Sequence, residues 1–305
     1  MKHIAIFGLG RMGMQIAKRL HQNQFAVLAW NRSPEPREEF ARFGGTVFST
    51  PEETCAGFSG HDPRVFWVML PNNTVEDFIF DPLGLQTLLK PGDIVIDGGN
   101  SFYKDSIRRA GRLKEMGVHF FDVGTSGGVW GLERGFALMV GGPQEQWPNI
   151  EPFIKALSSG DNYAILGKSG AGHFVKMVHN GIEYGMMEAI AEGYAVMQAS
   201  DFNLNFKDVT RVYQKGSVIS SWLIDLTRNI FEQEDIDTTS GKIDSTGEGE
   251  WTVQAAKEFG VDARVIEDSF KVRQESIDPV NQQKFSNKIV ALLRKQFGGH
   301  QIHIK

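Results

Sequence analysis

The chain opens with a short apolar run, His3-Ile4-Ala5-Ile6-Phe7, that passes directly into Gly8-Leu9-Gly10-Arg11-Met12-Gly13 and then into a helical pattern carried by Ile16, Ala17 and Leu20. A strand, three glycines at this spacing and an amphipathic helix open a parallel βαβ unit, which sets a pyrophosphate on the N–H groups of a helix N-terminus. Each glycine answers a separate requirement. Gly8 permits the tight turn, Gly10 lets phosphates approach the backbone, and Gly13 allows the helix to pack closely on the strand. The expected dinucleotide contacts are therefore Gly8, Leu9, Gly10, Arg11, Met12 and Gly13. The alternative, a glycine-rich turn with only a structural role, does not account for the strand placed directly before it.

The next strand, Ala26-Val27-Leu28-Ala29-Trp30, ends at Asn31-Arg32-Ser33, where such folds place the residue that reads the adenosine ribose. An acid there would bond a 2′-hydroxyl and repel a 2′-phosphate. A neutral Asn31, a cationic Arg32 and the Ser33 hydroxyl favour NADP over NAD. Val65-Phe66-Trp67-Val68-Met69-Leu70, stopped by Pro71-Asn72-Asn73, and Asp93-Ile94-Val95-Ile96-Asp97, stopped by Gly98-Gly99-Asn100-Ser101, read as further buried strands. His119–Val123 and Phe136–Val140 continue the series. The fold class expected is α/β: an N-terminal Rossmann-like, doubly wound, mostly parallel sheet with helices on both faces. Ligands of such sheets bind beyond the carboxyl ends of the strands, at the glycine turn, Met69-Leu70-Pro71, Asn100-Ser101 and Gly124-Thr125-Ser126-Gly127-Gly128. Beyond Leu166-Gly167-Lys168 the strand signal fades, and residues 169–231 and 249–296 carry helical patterns. Two domains are expected, 1–168 and an all-helical 169–305.

Composition narrows the class. With 305 residues, 41% apolar and 23% charged, the chain can bury a large core. The single Cys55 excludes an intrachain disulfide, suits a reducing compartment and reads as structural. No apolar run approaches the roughly 20 residues that cross a bilayer, and no signal peptide precedes the first strand, so a soluble, cytoplasmic protein is expected. A net charge of −5 without a basic stripe argues against nucleic acid. The eight histidines show no metal-ligand spacing, so no metal is expected.

The helical half begins with its most informative stretch, Gly170-Ala171-Gly172-His173-Phe174-Val175-Lys176-Met177-Val178-His179-Asn180-Gly181-Ile182-Glu183-Tyr184. Lys176, His179, Asn180, Glu183 and Tyr184 stand at i, i+3, i+4, i+7 and i+8, so a helix stacks them on one face. Lys and Glu are rarely buried unless paired or used, and this stripe reads as the wall of a polar cleft rather than ordinary core. A solvated helix face is the competing reading.

These segments resemble the decarboxylating 6-phosphogluconate dehydrogenases. The resemblance rests on the glycine turn, Gly99-Asn100-Ser101, Ser126-Gly127-Gly128 followed by Leu138-Met139-Val140-Gly141-Gly142, and above all His173 to Tyr184. The related 3-hydroxyisobutyrate dehydrogenases share the glycine turn, a Ser-Gly-Gly segment and a lysine like Lys176, but lack the His-Asn-x-x-Glu-Tyr continuation. The resemblance implies oxidative decarboxylation of 6-phosphogluconate to ribulose 5-phosphate and carbon dioxide, the alternative being a β-hydroxyacid dehydrogenase for a smaller or unphosphorylated acid. It implies that Lys176 is the general base and Glu183 the acid. Asn100, Ser126, Gly127, Gly128, His179 and Asn180 would hold the sugar hydroxyls and carboxylate, and Tyr184 the phosphate. A lysine desolvated in such a cleft serves as a base near neutrality, and a glutamate there can keep its proton.

Arg273 resembles a further phosphate-binding arginine, and Arg294-Lys295-Gln296-Phe297-Gly298-Gly299-His300 resembles the family's C-terminal Arg-x-x-Phe-Gly-x-His. The Arg and His of that segment reach a neighbouring subunit's pocket in the family, so the resemblance implies a homo-oligomer, dimer or tetramer, with Arg294 and His300 completing a neighbour's site. With one helical domain instead of the duplicated one, the chain resembles the short members, which often use NAD. One loop departs from the pattern: Gly247-Glu248-Gly249-Glu250-Trp251-Thr252 has acids where the family commonly has lysines. Carboxylates beside a dianionic phosphate weaken its binding unless they point away or Lys242 compensates.

Overall fold

The computed structural model describes residues 2–58, 60, 63–244 and 247–303. The chain divides into two compact units, Met1–Lys176 and Met177–Lys305. In the first, β1 (His3–Phe7), α1 (Arg11–Gln22), β2 (Ala26–Trp30), α2 (Pro34–Arg42), β3 (Thr46–Val47) and α3 (Pro51–Ala56) form one half of a sheet. The other half follows as β4 (Val65–Val68), α4 (Asn72–Phe80), β5 (Ile94–Asp97), α5 (Tyr103–Glu115), β6 (His119–Ser126), α6 (Gly131–Arg134), β7 (Phe136–Gly141), α7 (Trp147–Leu157) and β8 (Ser158–Gly167).

The strands lie in the order β3-β2-β1-β4-β5-β6-β7-β8. Those from β3 through β6 are parallel, β7 runs antiparallel to β6, and β8 is parallel to β7. The chain winds outward from β1 to β3, then returns to place β4 on the other side of β1. The strand order thus reverses between β1 and β4, the place where open α/β sheets hold their ligands. The period-2 alternation of the strands explains why both faces are covered. Ile4, Ile6, Trp67, Ile96 and Phe121 face a core shared with Ile16, Ala17 and Leu20 of α1 and Ile150, Phe153 and Leu157 of α7. Ala5, Phe7, Phe66, Val68 and Val95 face the opposite core, under Val75 and Ile79 of α4 and Leu113 of α5. Each such buried apolar side chain contributes about 1.5–3 kcal/mol.

The strands differ from the sequence reading in several places: the two-residue β3 is absent from it, and β4 stops at Val68 instead of Leu70. β6 runs on to Ser126, because Gly124, Thr125 and Ser126 pair with Met139, Leu138 and Ala137 of β7. The polar β8 gives little apolar signal because it is an edge strand, with only Tyr163 and Ile165 packed on the core.

α8 (Ala171–Gln198) begins in the first unit and continues in the second. The second unit adds α9 (Phe206–Gln214), α10 (Trp222–Gln233), α11 (Glu248–Glu258), α12 (Arg264–Glu275) and α13 (Phe285–Gly298). Its core joins Tyr184, Met187 and Ala191 of α8 to Leu226 and Ile230 of α10 and Ile289, Val290, Leu292 and Leu293 of α13. Thr252 of α11 donates to the Met177 carbonyl at 2.8 Å, and a Cβ on Gly181 would fall 2.7 Å from Thr252 Cγ2, so the missing side chain lets these helices meet closely. α13 ends at Gly299 in the left-handed conformation that glycine favours. Among the described residues, no helix is long and apolar enough to cross a membrane.

The glycine turn separates packing from binding. A Cβ on Gly13 would fall 2.1 Å from the Gly8 carbonyl oxygen, whereas one on Gly10 would meet nothing within 4 Å. Gly13→Ala is therefore expected to cost about 1–3 kcal/mol of stability through overpacking. Gly10→Ala is expected to cost less than about 1 kcal/mol, from the weaker helix cap. Calorimetric melting of the two variants checks the order, and equal losses would refute it.

Candidate active site

At the carboxyl end of β1 the backbone is held open for a ligand. Gly8 has a φ of +104°, and a Cβ there would fall 2.4 Å from the Met69 carbonyl oxygen, so only glycine lets the turn pass beside the segment after β4. Gly10 caps α1 without a side-chain hydrogen bond, and no acid stands in the first turn of that helix. An uncapped helix N-terminus with free space at Gly10 fits the pyrophosphate of a dinucleotide. Leu9 N–H donates to Asn31 Oδ1 at 2.9 Å, and Asn31 Nδ2 donates to the Ser33 carbonyl at 3.2 Å. Asn31 thus pins the glycine turn to the end of β2, while Arg32 and Ser33 lie exposed ahead of α2. Gly8 to Gly13, Asn31 and Met69 are brought together as the sequence predicts; Leu70 packs on the Gly8 side of the same turn, and Pro71 caps α4.

The loop after β5 carries Asn100 and is fixed from beneath. Asp97 is fully buried and accepts hydrogen bonds from Ser101 Oγ at 2.7 Å, Arg109 Nη1 at 2.9 Å and the Gly99 N–H at 3.1 Å. Arg109 Nη1 also donates to Ser101 Oγ at 3.0 Å, and its Nε donates to Glu76 of α4 at 3.1 Å. Gly98 and Gly99 are required by close approach, since Cβ atoms there would fall 1.9 Å from Trp67 Nε1 and 2.8 Å from the Leu70 carbonyl oxygen. The segments after β4 and β5 are thereby locked to one another.

Next to Asp97 in register stands Asp122 of β6, also fully buried. Its carboxylate accepts the Gly170 N–H at 2.6 Å and the His173 N–H at 2.7 Å, which caps the first turn of α8. Burial pushes the Asp122 carboxyl above its ordinary range, against the pull of His173 and the two N–H groups. His173 is buried, with Nδ1 2.7 Å from Ser106 Oγ of α5. One turn further along α8 is Lys176, itself buried; a Cβ on Gly124 of β6 would fall 2.3 Å from Lys176 Cβ. β6 then ends at Ser126, and Gly127 and Gly128 continue with φ of +139° and +56°. The first unit thus gathers Lys176, Gly124 and the Ser126-Gly127-Gly128 turn at one strand.

In the second unit, α8 presents His179, Asn180 and Glu183, all half-buried. His179 Nδ1 lies 3.0 Å from Asn180 Oδ1 and 3.8 Å from Glu183 Oε2. Tyr184 is buried, and the guanidinium of Arg273 from α12 sits over its ring, 3.3 Å from the centroid. Arg273 is buried too, and its Nε and Nη2 have no hydrogen-bond partner. Arg294 of α13 completes the group: burial lowers its guanidinium from the ordinary value, as does Arg273, while Tyr184, Asp244 and Glu183 oppose this. Two buried cations and a tyrosine, with two guanidinium N–H groups of Arg273 short of acceptors, have the chemistry of a receptor for an oxyanion.

Arg294 is buried on α13, with Arg273 and Tyr184 of its own chain acting on its charge. His300 turns back on α13, with Nδ1 3.0 Å from the Arg294 carbonyl oxygen and its ring against Phe297. The two acids of the unusual loop part company. Glu250 is exposed and accepts from Gln254 at 3.3 Å, whereas Glu248 is buried in the first turn of α11. Lys242 lies 3.8 Å from Asp244. Ser245 and Thr246 of that loop lie outside the described residues.

Three groups that position these segments escaped the sequence reading: Asp97, Asp122 and Arg109. The available signal was an aspartate set in each of two strands that are otherwise apolar. Among the described residues no cluster of three or more His, Cys, Asp or Glu could hold a metal ion.

Comparison with known proteins agrees with this geometry. Residues 3–167 match the NAD binding domain of 6-phosphogluconate dehydrogenase, and residues 172–302 match the 6-phosphogluconate dehydrogenase C-terminal domain. The chain is 39% identical to YqeC of Bacillus subtilis, provisionally named a 6-phosphogluconate dehydrogenase, over 97% of this chain and 98% of that one. It is 35% identical to the NAD(+)-dependent, decarboxylating 6-phosphogluconate dehydrogenase of Haloferax volcanii, over 98% of each. Among solved structures, the Plasmodium falciparum 6-phosphogluconate dehydrogenase, studied in its apo form and with NADP+ or 6-phosphogluconate, superposes with a TM-score of 0.82 at 28% identity. That match covers 90% of this chain and 62% of the longer Plasmodium chain. With both of its parts matched in order, the chain belongs to the 6-phosphogluconate dehydrogenase family.

Proposed function

We propose that this protein oxidises and decarboxylates 6-phosphogluconate to ribulose 5-phosphate and carbon dioxide, with NADP favoured over NAD. The observation that carries the reading is the oxyanion receptor of Tyr184, Arg273 and Arg294, whose tyrosine belongs to the same helix as Lys176 and Glu183. A small unphosphorylated hydroxy acid has a single carboxylate, which the chemistry at its other end also needs, whereas a phosphate monoester brings a separate dianion with several acceptor oxygens for two buried guanidinium groups.

The bound nicotinamide supplies the hydride acceptor. Gly8 to Gly13 would hold its pyrophosphate, Asn31, Arg32 and Ser33 its adenosine ribose, and Met69, Leu70, Pro71 and Asn100 would complete its binding site. Lys176 takes the proton of the C3 hydroxyl as C3 gives up its hydride. The resulting β-keto acid loses carbon dioxide readily, with the electrons of the broken bond passing to the new carbonyl. Lys176 returns a proton to that oxygen, and Glu183 protonates C1 of the enediol. Asn100, Ser126, Gly127, Gly128, His179 and Asn180 orient the hydroxyls and carboxylate, and His300 supports the Arg294 end of the phosphate site. Carbanion-like charge is thus handled by protons from side chains, and the scheme calls for no metal.

The same reading includes a homo-oligomer. On α8, Ile182, Met186 and Val196 are exposed at i, i+4 and i+14, an apolar stripe suited to a second copy of the chain.

A steady-state assay with 6-phosphogluconate tests the reaction, with reduced cofactor and released carbon dioxide expected in equal yield. Turnover of unphosphorylated β-hydroxyacids in preference to 6-phosphogluconate would overturn the substrate assignment. Lys176→Met is expected to lower kcat by at least about 100-fold, the usual scale of a lost general base; hydride transfer at the parental rate would remove Lys176 from that role. For the cofactor, kcat/KM is expected to be higher with NADP than with NAD, and Arg32→Ala to reverse the order by weakening NADP alone. An unchanged ratio in the variant would mean that Arg32 does not read the 2′-phosphate.

A further inference from the structure

Glu188 stands one turn beyond Tyr184 on α8 and is buried, yet both of its carboxyl oxygens lack a hydrogen-bond partner. Buried polar atoms are seldom left in this state. The largest charge effect on it comes from Arg273 of α12, whose Nε and Nη2 are also without partners. Those two N–H groups form one edge of the guanidinium, the edge that receives an oxyanion through two parallel hydrogen bonds. An acid and a guanidinium, electrostatically coupled and both incompletely bonded, are two components of a site that lacks its third. The other charged groups of the cluster are Glu192 on the same helix, which acts on Glu188, and Arg294 of α13, which acts on Arg273. Asp244 and Glu183 act in turn on Arg294.

We infer that Glu188 is a positioning residue for Arg273 that makes phosphate binding proton-linked: its carboxylate competes for Arg273 in the free protein, and it takes up a proton when a phosphate monoester occupies that edge. This inference rests on the assignment of Tyr184, Arg273 and Arg294 to the substrate phosphate. A dianion on that edge of Arg273 adds negative charge near a buried carboxylate and takes up the cation that acts on it, so the arriving phosphate drives Glu188 to its neutral form. Burial already pushes the Glu188 carboxyl up to about 7, against the pull of Arg273 and with the help of Glu192. The neutral acid is then a donor and can hydrogen-bond a phosphate oxygen instead of repelling it. Affinity for phosphate therefore falls as pH rises above 7. A glutamine at this position would keep the donor and lose the titration.

The test compares the full-length parent with Glu188→Gln in steady-state assays with 6-phosphogluconate from pH 6 to pH 9. The ionisations of the substrate, Lys176 and Glu183 are common to both proteins and cancel in the ratio of their constants. The parent-to-variant ratio of KM is expected to rise about tenfold per pH unit at most above pH 7, the limit for one linked proton, while the ratio of kcat stays constant. Glu188→Asp is expected to retain the pH dependence. Competitive inhibition by inorganic phosphate should follow the same course as KM. A flat KM ratio together with a flat ratio of phosphate inhibition constants would overturn the inference. If 6-phosphogluconate is not a substrate, thermal shifts induced by inorganic phosphate, compared in the two proteins across the same pH range, still decide it. If Glu188→Gln fails to fold, Glu188→Ala takes its place in every arm, since it too removes the titrating carboxyl, and a flat ratio would again overturn the inference.

Discussion

Two carboxylates set side by side in the sheet organise the first unit. Asp97 and Asp122 are register partners on β5 and β6, both fully buried, and Asp97 raises the cost of a charge on Asp122. They persist because each is matched by groups that only this arrangement supplies. Asp97 draws Ser101, the Gly99 N–H and Arg109 around it, and Asp122 draws the first N–H groups of α8. The segment that carries Asn100 and the helix that carries Lys176 are therefore positioned by neighbouring atoms of one sheet. Removing either carboxylate would leave several buried donors unsatisfied. Fold and site share this dependence, since the same bonds that end β5 and start α8 fix the groups proposed to meet the substrate.

The fold was legible where local physics decides it. Gly8, Gly10 and Gly13 could be read because their spacing has few structural uses, and the buried strands because their apolar runs end at Pro71 or at Gly98-Gly99. β8 was not legible, since an edge strand packed on one side carries only Tyr163 and Ile165 as core signal. The end of β6 was misplaced because Gly124-Thr125-Ser126 looks like a turn until Leu138 and Met139 of β7 are available to pair with it.

The candidate site divides along the same line. Lys176, His179, Asn180, Glu183 and Tyr184 announced themselves through helical spacing alone. Asp122 did not, because the N–H groups it caps are 48 and 51 residues away, and nothing local marks that bond. Arg109 was hidden among the charges of α5, where Arg108 and Arg112 are solvated cations and Arg109 is buried. Arg294 follows Leu293 on α13, and the burial of Ile289, Val290, Leu292 and Leu293 in that helix carries it out of solvent, where Arg273 acts on its charge.

On the proposed reading, the unsatisfied state of that cluster is what gives selectivity. Arg273 acts against the charge of Arg294, which burial already disfavours, and Tyr184 opposes both effects while its ring lies under the Arg273 guanidinium. The free protein thus holds polar groups whose hydrogen-bonding capacity is unused, a cost comparable to about 1–3 kcal/mol for each orphaned group. A phosphate monoester removes that cost on binding, whereas a hydroxy acid without the phosphate leaves it in place. Discrimination therefore comes less from extra contacts made by the phosphorylated substrate than from the penalty that persists in its absence, which is how sites built from buried polar groups reject analogues lacking the matching group. The exposed placement of Glu250 is consistent with this, since an acid turned to solvent costs the phosphate little.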